Sequence, residues 1–114
     1  MKVKSNIWIE KDGKVVLSLW RVRLLEAVEK TGSISAAASQ MNVSYRRAWE
    51  KIQECETRLG IKLVDTQTGG SGGGGSHLTP EAYAYIERFR KFIAGLDELV
   101  SERFEKYFLD EDDT

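Results

Sequence analysis

Cysteine and histidine each occur once in the 114 residues, and that scarcity closes off whole classes of protein. Cys55 alone cannot form an intramolecular disulfide, and with His77 it makes too few soft ligands for a four-coordinate zinc site. No apolar run approaches the ~20 residues that a membrane-spanning helix requires, and no signal-peptide core follows Met1 to Lys4. The expected compartment is therefore the cytoplasm. Nothing resembles a nucleophile elbow, and the chain is short for the sheet that usually supports one. No catalytic residue, metal or cofactor is expected. What the sequence does have is 41% hydrophobic and 31% charged residues, with three Trp, four Tyr and four Phe to supply large buried surfaces. That suits one small domain, with or without an appendage, and not a disordered chain.

The formal net charge of −1 conceals an asymmetry. Residues 1–68 hold 12 Lys and Arg against 8 Asp and Glu, whereas residues 69–114 hold 5 against 10. A basic amino-terminal part joined to an acidic carboxy-terminal part suits a region that meets a polyanion and one that does not.

Local patterns place the elements. Ile7 and Ile9 alternate with Trp8 and Glu10, Val15 and Leu17 repeat the pattern, and Asp12-Gly13 between them is a hairpin signal, giving strands near 5–10 and 14–17. From Leu19 the period becomes helical through Val22, Leu24 or Leu25, and Val28, until Thr31-Gly32 ends the run. Ser33 caps a short helix near 34–41 rich in alanine, Asn42 suits its left-handed end, and Ser44 caps a third helix over 45–59 that Gly60 terminates. Ala48, Ile52, Cys55 and Leu59 form the inward stripe of that helix. Two helices joined by a tight turn, with small residues between them, have helix-turn-helix geometry. Ile61, Leu63 and Val64, a glycine loop and Leu78-Thr79 then form a hairpin beside the pair, a wing over 61–79. Thr79 caps and Pro80 opens a last helix reaching Phe108, about 40 Å at ~1.5 Å per residue, followed by an acidic tail over 109–114. Its apolar residues recur by threes and fours at Ala82, Tyr85, Phe89, Phe92, Leu96 and Leu99, with Ile86, Ile93 and Val100 in a second seam. Tyr85, Phe89, Phe92, Ile93, Leu96, Leu99 and Val100 are the candidate dimer contacts.

The run from Gly69 to Ser76 admits several readings. It has the composition of an engineered flexible linker. It lacks the lysine of a phosphate-binding P-loop. It would also serve as a wing tip whose backbone N–H groups approach phosphates closely. Arg46 and Arg47 open the third helix, where the helix dipole disfavours cations that lack an anionic partner. They suit phosphate or guanine contacts, and Tyr45 suits contact with a thymine methyl. Trp49, a residue type more often found in cores, is a second-rank candidate. Cys55 reads as a small buried hydrophobe, and the pairs Glu26/Glu29 and Glu54/Glu56 read as solvated helix faces.

Together, Gly32-Ser33-Ile34-Ser35-Ala36-Ala37-Ala38, Val43-Ser44-Tyr45-Arg46-Arg47-Ala48-Trp49, Leu63-Val64, the Thr68 to Gly75 block and Leu78-Thr79 resemble the amino-terminal DNA-binding domain of ModE-type molybdate-responsive transcriptional regulators. More distantly, the arrangement is similar to the winged helix-turn-helix of LysR-type regulators. The resemblance places the glycines in a native wing. It implies a homodimer joined through the first and last helices, with the third helix of each protomer in a major groove. By position, Ser44, Tyr45, Arg46 and Trp49 would face DNA, Ser33 and Ser35 would bind phosphate, and Thr68, Gly69, Gly70, Ser71, Gly72, Gly73, Gly74 and Gly75 would form the wing. Family members carry molybdate-binding domains for which this sequence has no segment, so a stand-alone form is expected, with an oxyanion effector unproven.

The expected fold is mainly α with short β hairpins, a winged helix-turn-helix over 1–79 and a long dimerisation helix over 80–108. The expected function is a prokaryotic, nucleoid-associated transcriptional regulator that binds double-stranded DNA as a homodimer on a palindromic operator, with Arg46, Arg47 and Lys51 positioning the recognition helix. Two other readings stand beside it: a winged-helix module that binds proteins, and a small molybdate- or tungstate-binding protein that uses the glycine loop as an N–H nest.

Overall fold

Asp12 and Gly13 turn the chain back on itself at the start of the molecule. In the computed structural model, which describes residues 1–67 and 75–109, both have positive φ, 54° and 78°, as a two-residue type I′ turn demands. They join β1 (Trp8–Lys11) antiparallel to β2 (Lys14–Ser18). The pairing slips between Ile9 and Glu10, so that Ile9 faces Leu17 while Glu10 faces Val15. The bulge breaks the alternation expected for Val15 and Leu17, because an unpaired residue lets two consecutive side chains turn inward. Val16 and Leu17 are both buried, and Val15 only half so.

Three helices follow, each started by a side-chain cap. Ser18 accepts from the Arg21 N–H to open α1 (Leu19–Thr31), Ser33 from Ala36 to open α2 (Ile34–Gln40), and Ser44 from Arg47 to open α3 (Tyr45–Leu59). Each cap satisfies an N–H that the first turn leaves without an intrahelical partner. Gly32 and Gly60 take left-handed conformations that end α1 and α3, and Asn42, with φ 57°, does so in the turn after α2.

The strands of the wing are β3 (Val64–Gln67) and β4 (Gly75–Leu78), antiparallel, with Val64 opposite Leu78 and Gln67 opposite Gly75. The sequence pattern places strand character from Ile61, but the strand starts at Val64. Before that point Glu56 draws the chain to α3, its carboxylate accepting from the N–H groups of Leu63 at 2.7 Å and Val64 at 3.1 Å. Thr68 to Gly74, the expected tip of the wing, lie outside the described residues, as do the last five residues of the acidic tail.

The core is aliphatic. α1 crosses the centre with Val22, Leu24, Leu25 and Val28, and Ala37 and Ala48, both fully buried, let α2 and α3 pack closely; Leu63, Val64, Leu78, Ala82, Ile86 and Phe89 close it from the wing and the last helices. The aromatic residues expected to fill it mostly do not. Phe89 alone among them is buried, whereas Trp8, Tyr45, Trp49, Tyr83, Phe92, Tyr107 and Phe108 are exposed. No helix among the described residues is long and apolar enough to cross a membrane.

The carboxy-terminal arm is two helices in place of the single helix expected over 80–108. α4 (Pro80–Ile93) ends at Ala94, Gly95 takes a left-handed φ of 80°, and α5 (Leu96–Phe108) begins beyond it. The 3,4 repeat of apolar residues runs through this point unchanged. The backbone does not, because glycine enters the left-handed region at no steric cost and so permits a break that the side-chain pattern cannot reveal.

Candidate nucleic-acid interface

α3 presents three distinct faces. Ala48, Ile52 and Cys55 are at most 3% exposed and hold it to the core, with Leu59 half-buried at the end of the stripe. Cys55 sits as the small hydrophobe its position suggests, and burial pushes its thiol above the usual range despite the Arg21 guanidinium beside it.

A second face carries Tyr45 and Trp49, one turn apart and 54% and 44% exposed. Trp49 is thus a surface residue, contrary to what its residue type favours. Tyr45 and Trp49 line a recess of about 460 Å³ with Ser33 and Ser35 from the start of α2 and Thr66, Gln67 and Gly75 from the wing. Side chains from three elements meet there. Arg46 borders this face, its side chain 88% exposed and its Nε 3.1 Å from Glu50 Oε1. So exposed an i,i+4 pair is weak and is easily exchanged for a stronger anion.

The third face is committed to the protein itself. Arg21 of α1, buried beneath it, donates to Glu54 Oε2 at 3.1 Å, to the Lys51 carbonyl at 3.2 Å and to Cys55 Sγ at 3.3 Å. Lys51 Nζ lies 3.5 Å and Arg58 Nη1 3.7 Å from the same Glu54 oxygen. Partial burial alone would raise the Glu54 carboxyl; Arg21, Lys51 and Arg58 together outweigh that and hold it below the ordinary carboxylate range. Lys51, expected to help position the helix on a ligand, therefore lies among these charges, apart from Tyr45 and Trp49. Arg47 is exposed, and its N–H is held by the Ser44 hydroxyl at 3.1 Å.

The carboxylates read from sequence as solvated faces are structural fasteners. Glu54 and Glu56 fix α3 to α1 and β3, Glu29 accepts the Leu78 N–H at 2.9 Å, and Glu26 pairs with Arg90 of α4. These roles depend on which elements come together and leave no local signal. Among the described residues no group of His, Cys, Asp and Glu is arranged to hold a metal ion.

Helix ends add to the electrostatics. No acidic residue stands in the first turn of α1, α2 or α3, whereas Glu81 opens α4 and Asp97 and Glu98 open α5. The amino end of α3 thus combines the partial positive charge of the helix with Arg46 and Arg47 and holds no acid in its first turn.

The expected dimer seam divides. Phe89 is 1% exposed and belongs to the core of its own protomer, because docking α4 on that core turns its position inward. Phe92 and Leu99 stand exposed, and Tyr85, Ile93, Leu96 and Val100 are half-buried.

Comparison with known proteins agrees with this geometry. Residues 19–83, from the start of α1 to the first turn of α4, match the family described as bacterial regulatory helix-turn-helix protein, lysR family. The chain is 42% identical over 86 residues to the molybdenum-pterin-binding protein MopB of Rhodobacter capsulatus, a match covering 75% of this chain and 32% of that protein. It is 46% identical over 59 residues to the transcriptional regulator ModE of Yersinia pestis, covering 52% of this chain and 22% of the relative. These matches thus span a third or less of either relative. Among solved structures, a crystal structure of a BenM DBD/catB site 1 DNA complex superposes with a TM-score of 0.57 at 26% identity, covering 77% of this chain and 94% of that one.

Proposed function

We propose, because this chain belongs to the lysR family of bacterial regulatory helix-turn-helix proteins, that it is a sequence-specific transcriptional regulator binding duplex DNA. The observation that carries this reading is the face shared by α2, α3 and the wing. There the exposed Tyr45 and Trp49 stand beside Ser33 and Ser35, with the exposed Arg46 next to Tyr45 in the first turn of a helix bearing two cations and no acid there. Such a face suits a major groove: Arg46 reaches a guanine edge or phosphate, Tyr45 and Trp49 offer apolar contact to thymine methyls, and the serines and Arg47 hold phosphates. Ser44 contributes by fixing the first turn of α3, and Lys51 as part of the charge cluster that seats α3 on α1. The wing, with Thr68 to Gly75 at its end, would lie along the flanking backbone.

In this reading residues 1–79 form the DNA-binding unit, 80–108 a dimerisation arm and 109–114 an acidic tail. The arm pairs with a second copy through Tyr85, Phe92, Ile93, Leu96, Leu99 and Val100. A two-fold dimer requires a palindromic operator with half-sites about 34 Å apart or a multiple of that. The protein acts in the cytoplasm as a binding protein without catalysis. Binding to duplex DNA measured against salt tests the reading: log affinity should fall by ~0.9 per neutralised phosphate per log unit of salt. A flat salt response, or no binding to duplex at all, would contradict it.

A further inference from the structure

The outer edge of β4 is fastened to the end of α1 in a way that the DNA reading leaves unused. In a strand, alternate N–H groups point the same way. On β4, the N–H of Ser76 donates to the Gly32 carbonyl at 2.7 Å, and the N–H of Leu78 donates to Glu29 Oε2 at 2.9 Å. Both acceptors lie in the last residues of α1 and the turn after it. Gly75 lies against the same turn, where a Cβ would be in van der Waals contact with the Gly32 carbonyl at 3.4 Å. Thr31 stiffens the turn, its hydroxyl donating to the Ala27 carbonyl at 2.7 Å, with the Ser33 carbonyl as the alternative acceptor at 3.0 Å. From this turn the chain enters α2 at Ser33, so the wing and the serine-bearing end of α2 are referred to one anchor. β3 follows α3 within a few residues, but β4 is held to the turn after α1, and the placement of the wing against α3 decides whether both reach the same duplex.

We infer that Glu29 is a positioning residue for DNA binding: by holding the Leu78 N–H it sets the angle of the wing against the recognition helix and so brings the wing onto the flanking phosphates. The inference rests on the proposed DNA-binding function. In this role Glu29 contacts the wing and not the duplex: its carboxylate stays charged and is directed at the Leu78 N–H. Its ionisation agrees with this engagement, since the Leu78 N–H, and after it the Tyr83 hydroxyl, hold the Glu29 carboxyl below the ordinary carboxylate range.

The test uses the full chain and a duplex enriched by the wild type from a random pool, comparing wild type, Glu29→Ala and Glu29→Gln. Affinity is measured across a salt series, with hydroxyl-radical footprints of each complex and a thermal melt of each free protein. Glu29→Ala should bind about three- to tenfold more weakly, with a salt slope shallower by about one or two phosphates. It should lose protection at the flanking backbone and keep it in the central major groove. Glu29→Gln, whose amide oxygen still accepts the Leu78 N–H, should restore the slope and the flanking protection. A Glu29→Ala protein with the wild-type slope and flanking footprint would overturn the inference. So would uniform loss of central and flanking protection in both variants with lowered melting, which would make Glu29 a general stabiliser of the fold. A wild type that enriches no duplex would instead overturn the DNA-binding function beneath it, an outcome visible before either variant is compared.

Discussion

α3 and α5 are helices of 15 and 13 residues, each with apolar and charged sides, and they meet opposite fates. α3 buries Ala48, Ile52 and Cys55 against its own chain and leaves the first turn, with Arg46 and Arg47, free of acids. α5 buries no residue at all, keeps Leu99, Tyr107 and Phe108 exposed, and opens with Asp97 and Glu98. The difference teaches what each region is built to meet. A helix whose apolar stripe is satisfied at home can offer an exposed face to a ligand, and in the proposed function the first turn of α3, which holds Arg46 and Arg47 and no acid, meets an anionic one. A helix whose apolar residues are covered only in part at home, and whose first turn already carries Asp97 and Glu98, suits a second protein surface in preference to DNA. The division matches the charge of the chain, basic before residue 69 and acidic after it.

The contrast can be broken most severely at the boundary between the regions. Phe89 lies on the arm in sequence but in the core in space, so Phe89→Ala should cost about 3–5 kcal/mol of stability, measured by denaturant unfolding. A loss below ~1 kcal/mol would move Phe89 back to the intermolecular seam. Next in size, Arg46→Ala should weaken operator binding by about 1–3 kcal/mol while leaving the melting temperature unchanged, since the exposed Arg46 contributes only a weak surface pair to the fold. Leu99→Asp on the arm should do the converse to association, raising the dimer dissociation constant about tenfold or more in sedimentation equilibrium, because a carboxylate would be buried in an apolar seam. If Leu99→Asp leaves the mass unchanged, the arm does not pair through this face.

The smallest effect concerns the charges beneath α3. Glu54 titrates below its ordinary value in the folded protein, so the stability it contributes is fully present above the unfolded carboxylate range, near pH 4.5, and is lost as pH falls through the depressed folded value. The urea midpoint of the wild type should therefore drop more steeply below about pH 4.5 than that of Glu54→Gln. Equal pH dependence in the two proteins would remove Arg21, Lys51 and Arg58 as the reason α3 sits where it does.

How much of this was legible in the sequence follows from how local each signal is. Asp12-Gly13, the caps at Ser33, Ser44 and Thr79, and the stops at Gly32, Asn42 and Gly60 act through a few neighbouring backbone groups, and the structure bears them out. The break at Gly95 was hidden because the apolar repeat of Phe92, Leu96 and Leu99 continues across it, and periodicity records side chains, not φ. Trp49 stands outside although its residue type favours a core, and Phe89 stands within although its place in the apolar repeat suggests the seam, because docking of α3 and α4 chooses which arc faces the core. Glu29, Glu54 and Glu56 read as solvated carboxylates for the same reason: their partners Leu78, Arg21 and Leu63 are brought to them only by the tertiary fold.

The most direct measurement is selection of bound sequences from a random duplex pool by the purified protein, with its mass in solution recorded on the same sample. An enriched two-fold motif with half-sites about one helical turn apart, together with the mass of a dimer, is the expected result. Binding that ignores sequence and vanishes with salt, or no binding, would contradict the reading of α3 as a recognition helix.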